Sequence, residues 1–591
     1  MIYISTLIFL FIIISFSNFI TLKWNVKINQ SYLVSCCVLI LLSFFSFFID
    51  REYKFSTLNY LFYFFFLFSI FLLLFLISNF TKIQKGINLE FIFFFLIIFY
   101  VSKDRYYLDQ DEFTYWGRSL KELLLGLKPY NHFTHHPKGT SLFQYLLVFL
   151  NYKEGLAIFA NNILLISGYF YLFYERKLLI VEKIFLFLTF YLLLNNLSFG
   201  FLSIYSDPIL AVFFSCLLKL IYSFAIKEKN KETLQFFIPF IIIFLTLLLI
   251  NRASIIYALF LVFLFFAIVF YKNKKNTIIN LICFFGIFFL ILVFYYILTE
   301  LIFPYNYGFQ TIIQNVIKFI RYQFFSINFI ELFTSPIYFS HFGALVNGVL
   351  IFFSIHNFFP QFQIPLFIYI LLLWLILLFN FRYKFCSILI SFLFIFIYSS
   401  IVFILKFQIE KISILALQRY IAILLLANYL FYISIINENL KTIYNNYILF
   451  FFIIFLIFVT PKKTIGLFVT DKIYYSNLSN QNFKTNRDKI SQLKNIKNIN
   501  SIESIFLIHK DRMSDYTNNN IAGEHTFYHD IISYEIYPKQ IIFIKYDKFI
   551  KNINYYESLK SNNSFFIFFD LSKNQLKNIN YLQNSFIINT Y

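Results

Sequence analysis

Three acidic side chains stand within four consecutive positions at the start of the stretch DQDEFTYWGRSLKELLLG, residues 109–126. Asp109, Asp111 and Glu112 closely follow a segment that is rich in Phe, Leu and Ile. Repulsion between clustered carboxylates raises the pKa of at least one of them, and a carboxylate with a raised pKa is suited to general-base catalysis. We therefore predict that Asp111 or Glu112 is catalytic. The structural alternative is that Asp111 caps the next helix and Glu112 lies in its first turn.

A helical pattern begins directly after the acids. Its apolar side chains recur at three- and four-residue steps, at Phe113, Trp116, Leu120, Leu123 and Leu127. Its charged side chains fall on the other side, at Arg118, Lys121 and Glu122. This spacing predicts an amphipathic helix that ends near Gly126. We expect it to lie at a membrane interface, with Trp116 and Tyr115 as anchors.

A histidine-rich stretch, KPYNHFTHHPKG, follows at residues 128–139. Its histidines have the spacing HxxHH, and no second cluster stands at helical spacing. This arrangement favours histidines that hydrogen-bond or line a substrate site, and it gives little support for metal ligation. The alternative is a divalent metal held jointly by the acids and one histidine. We expect no metal and no cofactor, and we expect His136 and Lys138 to contact substrate.

The composition requires a membrane protein. Of the 591 residues, 60% are hydrophobic and only 13% are charged, and no soluble core needs so much apolar surface. The net charge of +20 comes mostly from short loops between apolar runs and from the C-terminal tail. Membrane proteins retain positively charged loops on the cytoplasmic side, and this rule explains the charges in the loops. We therefore expect no nucleic-acid partner. The five cysteines all lie in apolar segments without metal-ligand spacing.

Apolar runs long enough to cross a bilayer predict an all-α polytopic domain over residues 1–460, with roughly fourteen spans. The runs begin near residues 2, 31, 57, 88, 155, 179, 205, 235, 254, 277, 364, 385, 415 and 446. Placing every strongly basic loop in the cytoplasm puts the acids and residues 103–152 outside the cell membrane. This assignment requires that residues 139–150 do not cross; we predict an interfacial helix there.

The tail, residues 461–591, is rich in Asn, Lys and Ser and contains short apolar runs. Three of these runs predict strands: SIFLIHK (504–510), QIIFIKY (540–546) and SFFIFFD (564–570). Between the apolar runs and the last span, RDKISQLKNIKN (487–498) has helical spacing. We predict a small soluble α/β domain outside the membrane.

Further polar residues stand beside predicted spans. Asp207 precedes Pro208 at a helix start. Either Ser206 or Asp207 caps this helix, or Asp207 faces the same cavity as the acids. Arg252 lies in a tight turn, and Arg419 with Tyr420 lies about one turn inside a span. Arginine at such depth is a functional candidate because guanidinium binds phosphate oxygens bidentately. Snorkelling of Arg252 and pairing of Arg419 with Glu410 are the structural alternatives.

From residue 104 to about residue 220 the chain resembles the GT-C superfamily, multi-spanning glycosyltransferases that use polyprenyl-phosphate-linked sugars. The resemblance rests mainly on the first outer loop, which opens with DE in DEFTY (111–115) and continues as an amphipathic helix. The loop then reaches HPKG (136–139) and LFQYLL (142–147). Farther along the chain, the resemblance includes YSDP (205–208). Protein O-mannosyltransferases and aminoarabinose transferases of lipid A belong to this superfamily. Two features differ: HPKG stands where relatives have a double proline, and three or four spans precede the loop where relatives usually have one.

The resemblance implies a GT-C-like glycosyltransferase that moves a sugar from a polyprenyl phosphate to a glycan, lipid or protein hydroxyl, with inversion. Asp111 or Glu112 would be the base. Together with the residue-level reasoning above, the predicted substrate-binding residues are Asp109, Tyr115, His136, Lys138, Asp207, Arg252, Arg419 and Tyr420.

Three other functions stay open. One is a structural or receptor protein whose function lies in the tail, which contains the polar stretch HKDRMSDYTNNNIAGEHTFYHD (509–530). An oligosaccharide polymerase or ligase would use a late outer loop, residues 304–363, with Arg321 and His341. A lipid-linked saccharide transporter or flippase would show inverted repeats and charges at mid-membrane, whereas the predicted spans are nearly free of central charge.

Overall fold

In the computed structural model, the N-terminal half of the chain is described almost continuously. The described residues of this half are 2–53, 57–78, 85–107, 113, 116–126, 139–174, 180–195, 201, 203–226 and 233–251. In the rest of the chain, the structure describes scattered positions within 254–293 and 423–435, and Tyr534. It also describes strands at 504–510, 540–545, 564–570, 575–582 and 585–590.

The chain divides into two compact units. The first comprises residues 1–106 and 129–467, and the second comprises residues 107–128 and 468–591. The segment that contains the acid cluster and the amphipathic helix therefore groups with the C-terminal residues.

The described part of the first unit is helical. Its helices are α1 (Ile2–Trp24), α2 (Ile28–Tyr53), α3 (Thr57–Ser78), α4 (Lys85–Ser102), α6 (Gly139–Val148), α7 (Glu154–Phe173), α8 (Ile180–Asn195), α9 (Asp207–Ile226) and α10 (Thr233–Ile250). The helix α5 (Gly117–Leu124) belongs to the second unit.

Eight predicted spans coincide with α1–α4 and α7–α10. Within the described residues, four helices (α1, α2, α7 and α9) are long and apolar enough to cross a membrane. Most of the chain assigned to the later spans lies outside the described residues.

Helix α7 is the centre of this unit, because every residue from Gly155 to Phe173 is buried. It packs against α2, α4, α6 and α9. Two glycines allow the close approach: a Cβ at Gly155 would collide with the backbone of Ser102, and one at Gly168 would collide with Val212 of α9. Small residues at such positions are typical of tightly packed helices in membranes.

The helices alternate in direction between two ends of the first unit. At one end, Lys103 just after α4 donates a hydrogen bond to Tyr3 in the first turn of α1, at 3.1 Å. At the opposite end, Asn29 at the start of α2 donates to the carbonyl of Tyr174 after α7, at 2.9 Å. We call the first the loop end, because the chain leaves it for residues 103–138. We call the second the basic end, because it contains the helix ends that adjoin, in sequence, the basic stretches 22–27, 81–85, 175–177 and 226–232.

The short helix α6 does not cross the unit. Its first residue, Gly139, lies against Leu249 near the last turn of α10, and Phe149 just after it packs on Tyr63 in the second turn of α3, with ring centroids 6.0 Å apart. Both contacts are at the loop end, as the sidedness prediction requires. All ten residues of α6 are buried in the protein, and the expected position of this helix at a membrane interface stays a prediction.

Charged and polar side chains join the helices near the basic end. The Lys183 ammonium of α8 donates to both carboxylate oxygens of Glu90 in α4 at 2.9 Å. Tyr32 donates to Asn88 at 2.5 Å, and Asn88 donates to Asn18 at 3.2 Å, which connects α2, α4 and α1. The Lys183–Glu90 ion pair lies near the beginnings of α8 and α4 and not at the centres of these helices.

The C-terminal strands form a mixed sheet with the order β2-β1-β3-β4-β5. The strands are β1 (Ser504–Lys510), β2 (Gln540–Lys545), β3 (Ser564–Asp570), β4 (Gln575–Leu582) and β5 (Ser585–Thr590). Strand β1 is parallel to β2 and β3, whereas β3, β4 and β5 are antiparallel neighbours. The three predicted strands coincide with β1, β2 and β3. The predicted helix at 487–498 lies outside the described residues, so the α/β assignment stays a prediction.

Candidate functional site

Of the predicted site residues, the structure describes Asp207 alone. The remaining ones lie outside the described residues: Asp109, Asp111, Glu112, Tyr115, His136, Lys138, Arg252, Arg419 and Tyr420. The site is therefore built from the described residues that flank them in sequence.

The residues on either side of the acid cluster meet on one aromatic side chain. Tyr107 precedes the acids and Phe113 follows them, and their ring centroids are 6.2 Å apart. Tyr534 contacts both rings, at 5.7 Å from Tyr107 and 5.4 Å from Phe113. All three side chains are fully buried. The segment that contains the three acids thus begins and ends at one buried aromatic cluster, which we call the Tyr534 cluster.

Helix α5 starts later than the periodicity predicts. Phe113 and Trp116 have π-helical backbone, Trp116 is the N-cap, and the α-helix begins at Gly117. Asp111 and Glu112 lie outside the described residues, so the alternative that Asp111 caps a helix stays a prediction. The predicted end is confirmed: Gly126 has φ +62° and its amide donates to the carbonyl of Leu123 at 3.2 Å, as expected of a glycine after a helix.

Two expectations about the faces of α5 are wrong. Trp116 is buried in the protein, so it is not a membrane anchor. Glu122, expected on the solvent side, is only 1% exposed and lies 3.8 Å from the guanidinium of Arg118 one turn earlier. The helix is short, and protein covers residues of its charged side as well as its apolar stripe. Sequence periodicity does not show this additional burial.

A second contact joins α5 to the C-terminal residues. The ammonium of Lys121 donates to the backbone carbonyl of Tyr534 and lies 3.5 Å from the centroid of the Tyr534 ring. Cation–π contacts of this kind are stronger where the cation is desolvated. Both flanks of the acid segment and the helix behind it therefore depend on one residue of the tail.

Asp207 is buried at the start of α9. The carbonyl of Ser206 accepts the first helical hydrogen bond, from the Leu210 amide at 2.9 Å, so Ser206 is in the capping position and Asp207 is the first helical residue. The Ser206 hydroxyl accepts from Asn251 at 3.1 Å, which holds the α9 start against the end of α10. The helix dipole favours negative charge at this position. The capping assignment is confirmed for Ser206, and Asp207 lies at the loop end.

Asn162 in α7 joins two segments of the chain at the loop end. Its amide group donates to the Ser102 hydroxyl at 2.8 Å and to the Phe201 carbonyl at 2.9 Å. Ser102 is the last residue of α4, after which the chain continues toward the acids, and Phe201 precedes Asp207 by six positions. One side chain thus fixes the exit point of the acid-bearing segment against the segment that leads to Asp207.

A neighbouring amide pair has unused hydrogen-bonding capacity. Gln144 of α6 donates to Asn161 of α7 at 2.7 Å. The carbonyl oxygen of Gln144 and the amide nitrogen of Asn161 are buried without a partner, as is the Thr140 hydroxyl one turn before Gln144. If both amides were rotated by 180°, the pair would still offer one donor and one acceptor. A hydroxyl group or a water molecule satisfies both at once.

Two cationic residues follow α4 directly. The hydrogen bond from Lys103 to Tyr3 raises the pKa of the lysine, more than its neighbour Asp104 does. Arg105 is mostly buried, and its Nε donates to the Val101 carbonyl at 3.0 Å. The run Lys103-Asp104-Arg105 at the end of a span is the sequence signal for these residues. The adjacent Asn161 and Asn162 in an otherwise apolar helix are the signal for the polar interior.

Among the residues whose placement is described, no group of three or more His, Cys, Asp or Glu side chains could hold a metal ion. No protein-family model, no curated protein and no solved structure matches this chain. The similarity to GT-C enzymes therefore rests on the first-loop residues themselves.

Proposed function

We propose that this protein is a membrane glycosyltransferase that transfers a sugar from a polyprenyl-phosphate donor to an acceptor hydroxyl at the outer face of the cell membrane. In this proposal the acid-bearing loop and the C-terminal residues face outward, and the product is a cell-surface glycan or glycolipid. The basic end faces the cytoplasm, where positively charged connections are retained.

The observation that carries the proposal is the position of Asn162. Through its two hydrogen bonds, the exit of α4 toward the acids and the segment before Asp207 are held at the same end of the helices. This end is opposite the one where the basic connections join. In the proposal this end carries the catalytic carboxylates and adjoins lipid, which is what a lipid-linked donor and a water-soluble acceptor require.

The proposed reaction is a single displacement. Asp111 or Glu112 removes the proton from the acceptor hydroxyl, whose oxygen attacks the anomeric carbon. The bond from that carbon to the phosphate oxygen breaks, and its electron pair leaves with the polyprenyl phosphate, which inverts the anomeric centre. General-base help of this kind is worth about 10² to 10⁴ in rate.

Other residues of the proposal bind rather than react. Arg252 and Arg419 neutralise the departing phosphate, which is an electrostatic contribution to the transition state. Asp207 accepts a hydrogen bond from a sugar hydroxyl. The remaining candidate contacts to donor or acceptor are Asp109, Tyr115, His136, Lys138 and Tyr420.

The test is transfer of radiolabelled sugar from a panel of polyprenyl-phosphate donors by the purified full-length protein in liposomes. Asp111→Asn and Glu112→Gln are compared with Asp104→Asn, an exposed acid that flanks the same segment. We expect at least one of the first two to lose about 10²-fold or more in kcat and the control to keep its rate. Full activity in both variants would remove the proposal.

The same assay separates the open alternatives. A polymerase or ligase would lose activity with Arg321→Ala or His341→Ala and tolerate the first-loop variants. A flippase would move labelled lipid-linked saccharide across the liposome bilayer without any transfer. Labelling of single cysteines at residues 103–138 in intact cells tests the orientation, and a cytoplasmic location would contradict the proposal.

A further inference from the structure

Helices α6 and α7 bring three uncharged polar side chains together inside the first unit. Thr140 and Gln144 are one turn apart in α6, so they lie on the same face of that helix. Gln144 donates a hydrogen bond to Asn161 of α7 at 2.7 Å. All three residues are fully buried. We call them the amide–hydroxyl site.

Each member of this site has a polar atom without a partner, namely the Thr140 hydroxyl, the Gln144 carbonyl oxygen and the Asn161 amide nitrogen. Other buried hydroxyls of the first unit differ: Ser17 and Ser43 each donate to a carbonyl one turn earlier in their own helix, at 2.7 Å. Thr140 is the second residue of α6, so no carbonyl of that helix lies one turn before it. Buried polar atoms are almost always hydrogen-bonded, and three unpartnered atoms at one place therefore indicate a ligand.

The chemistry of the site selects a neutral ligand with hydroxyl groups. A hydroxyl group both donates and accepts hydrogen bonds, so one such group satisfies the Gln144 oxygen and the Asn161 nitrogen together. An adjacent hydroxyl of the same molecule pairs with Thr140. The three side chains are uncharged, so they offer no ionic contact to a phosphate or an ammonium group. Carbohydrates are the class of ligand that presents adjacent neutral hydroxyls.

The amide–hydroxyl site lies near the loop end of the helices. Asn162, the next residue of α7, donates to the hydroxyl of Ser102, which is the last residue of α4, at 2.8 Å. Both ends of α6 are also at the loop end. A ligand that enters there reaches the site without crossing the helices, and since the three side chains are closed to solvent, its binding requires a local opening.

We propose that Thr140, Gln144 and Asn161 bind adjacent hydroxyl groups of a saccharide and thereby determine which sugar the protein accepts. This inference deepens the proposed function, and it rests on that function for the identity of the ligand, the sugar of the polyprenyl-phosphate donor.

The test measures equilibrium binding of radiolabelled polyprenyl-phosphate sugars to the purified full-length protein, so it does not require transfer. The panel contains hexose and pentose donors and their monodeoxy analogues. Thr140→Val removes the hydroxyl and keeps the branched shape. We expect this variant to bind the preferred sugar about tenfold more weakly, the scale of one hydrogen bond. Its affinity for the analogue that lacks the matching hydroxyl should change by less than about twofold, because the two losses are not additive.

Thermal unfolding without ligand separates a binding role from a structural one. The Thr140 hydroxyl has no partner in the protein, so Thr140→Val should keep or raise the Tm. Asn161→Leu is the second variant; it should also weaken binding of the preferred sugar, and it should lower the Tm because the Gln144 amide loses its acceptor. The matched control is Ser167→Ala, which removes another buried α7 hydroxyl, 3.5 Å from the Cys36 sulfur, and should leave the affinity for every sugar unchanged.

The outcomes separate this inference from the proposed reaction. A lower Tm in Thr140→Val with equal weakening for all sugars, as expected if the site holds a buried water only, would overturn the saccharide site. Unchanged binding in Thr140→Val and Asn161→Leu would also overturn it, even if Asp111 and Glu112 prove essential for transfer. Selective weakening in a protein that transfers no sugar would refute the reaction and keep the site. Failure to bind any sugar of the panel would overturn both.

Discussion

The ring of Tyr534, near the end of the chain, lies 5.4 Å from the ring of Phe113 in the first large connection between helices. Sequence periodicity assigns Phe113 to the apolar face of a membrane-interface helix. The structure places it in the second unit, with α5 and the C-terminal residues. The apolar stripe that begins at Phe113 thus packs on protein.

The first prediction concerns this packing. Replacing Phe113 by alanine removes a fully buried ring and should destabilise the second unit by about 3–5 kcal/mol, the usual cost of Phe→Ala in a core. Limited proteolysis between residues 107 and 128 should therefore accelerate, because local opening exposes this segment. The matched control is Leu125→Ala, at an exposed position, which should shift stability by no more than about 0.5 kcal/mol. Equal cleavage rates for the two variants would contradict the packing.

The second prediction concerns Asn162. Asn162→Leu removes both hydrogen bonds of this side chain and leaves the Ser102 hydroxyl and the Phe201 carbonyl without their donor. We expect a loss of about 1–3 kcal/mol for each buried group left unsatisfied, measured as a lower Tm in detergent. Asn162→Ser provides the comparison, because it keeps a short donor but cannot reach both partners. If Asn162→Leu were as stable as the natural protein, Asn162 would not hold the loop end together.

The third prediction uses the two closely packed helices α7 and α9. Gly168→Ala places a methyl group against Val212, and overpacking of this kind costs about 1–3 kcal/mol. The double variant Gly168→Ala with Val212→Ala should recover most of that loss, because the colliding branch is removed. Non-additivity in the thermal unfolding of the single and double variants checks this, since distant sites would show additive effects. Additive losses would mean that Gly168 and Val212 do not touch.

The sequence predicts the helices of the first unit well because apolar runs of about 20 residues have few alternative structures. The eight runs from residue 2 to residue 250 coincide with helices, and the strands SIFLIHK and SFFIFFD coincide with β1 and β3. Strand β4, QLKNINYL, was not predicted because its alternation is interrupted by polar residues, and β5 is identified by its pairing with β4. Pairing between strands is a long-range property that a local pattern does not contain.

The candidate site also has parts that follow from local sequence rules and parts that do not. The Gly126 stop of α5 follows from a local rule and is confirmed. The contacts of Tyr534 and Asn162 could not be predicted, because each joins residues that are distant in sequence. The buried position of Trp116 was missed for the same reason: an amphipathic stripe indicates that a helix is covered on one side, but it does not indicate whether lipid or protein covers it.

The last prediction concerns the ion pair near the basic end. Glu90 accepts two hydrogen bonds of 2.9 Å from Lys183, whose ammonium is buried and also donates to the Tyr174 hydroxyl at 3.1 Å. Glu90→Gln leaves the charge of Lys183 without its counter-ion, and we expect a loss of about 1–3 kcal/mol, reduced because the carboxylate is 32% exposed. Replacing both partners, Glu90→Gln with Lys183→Met, removes the unpaired charge and should be less destabilising than the single variant. Thermal unfolding of the three proteins in detergent measures the difference, and a double variant that is less stable than Glu90→Gln would show that the lysine is held mainly by Tyr174.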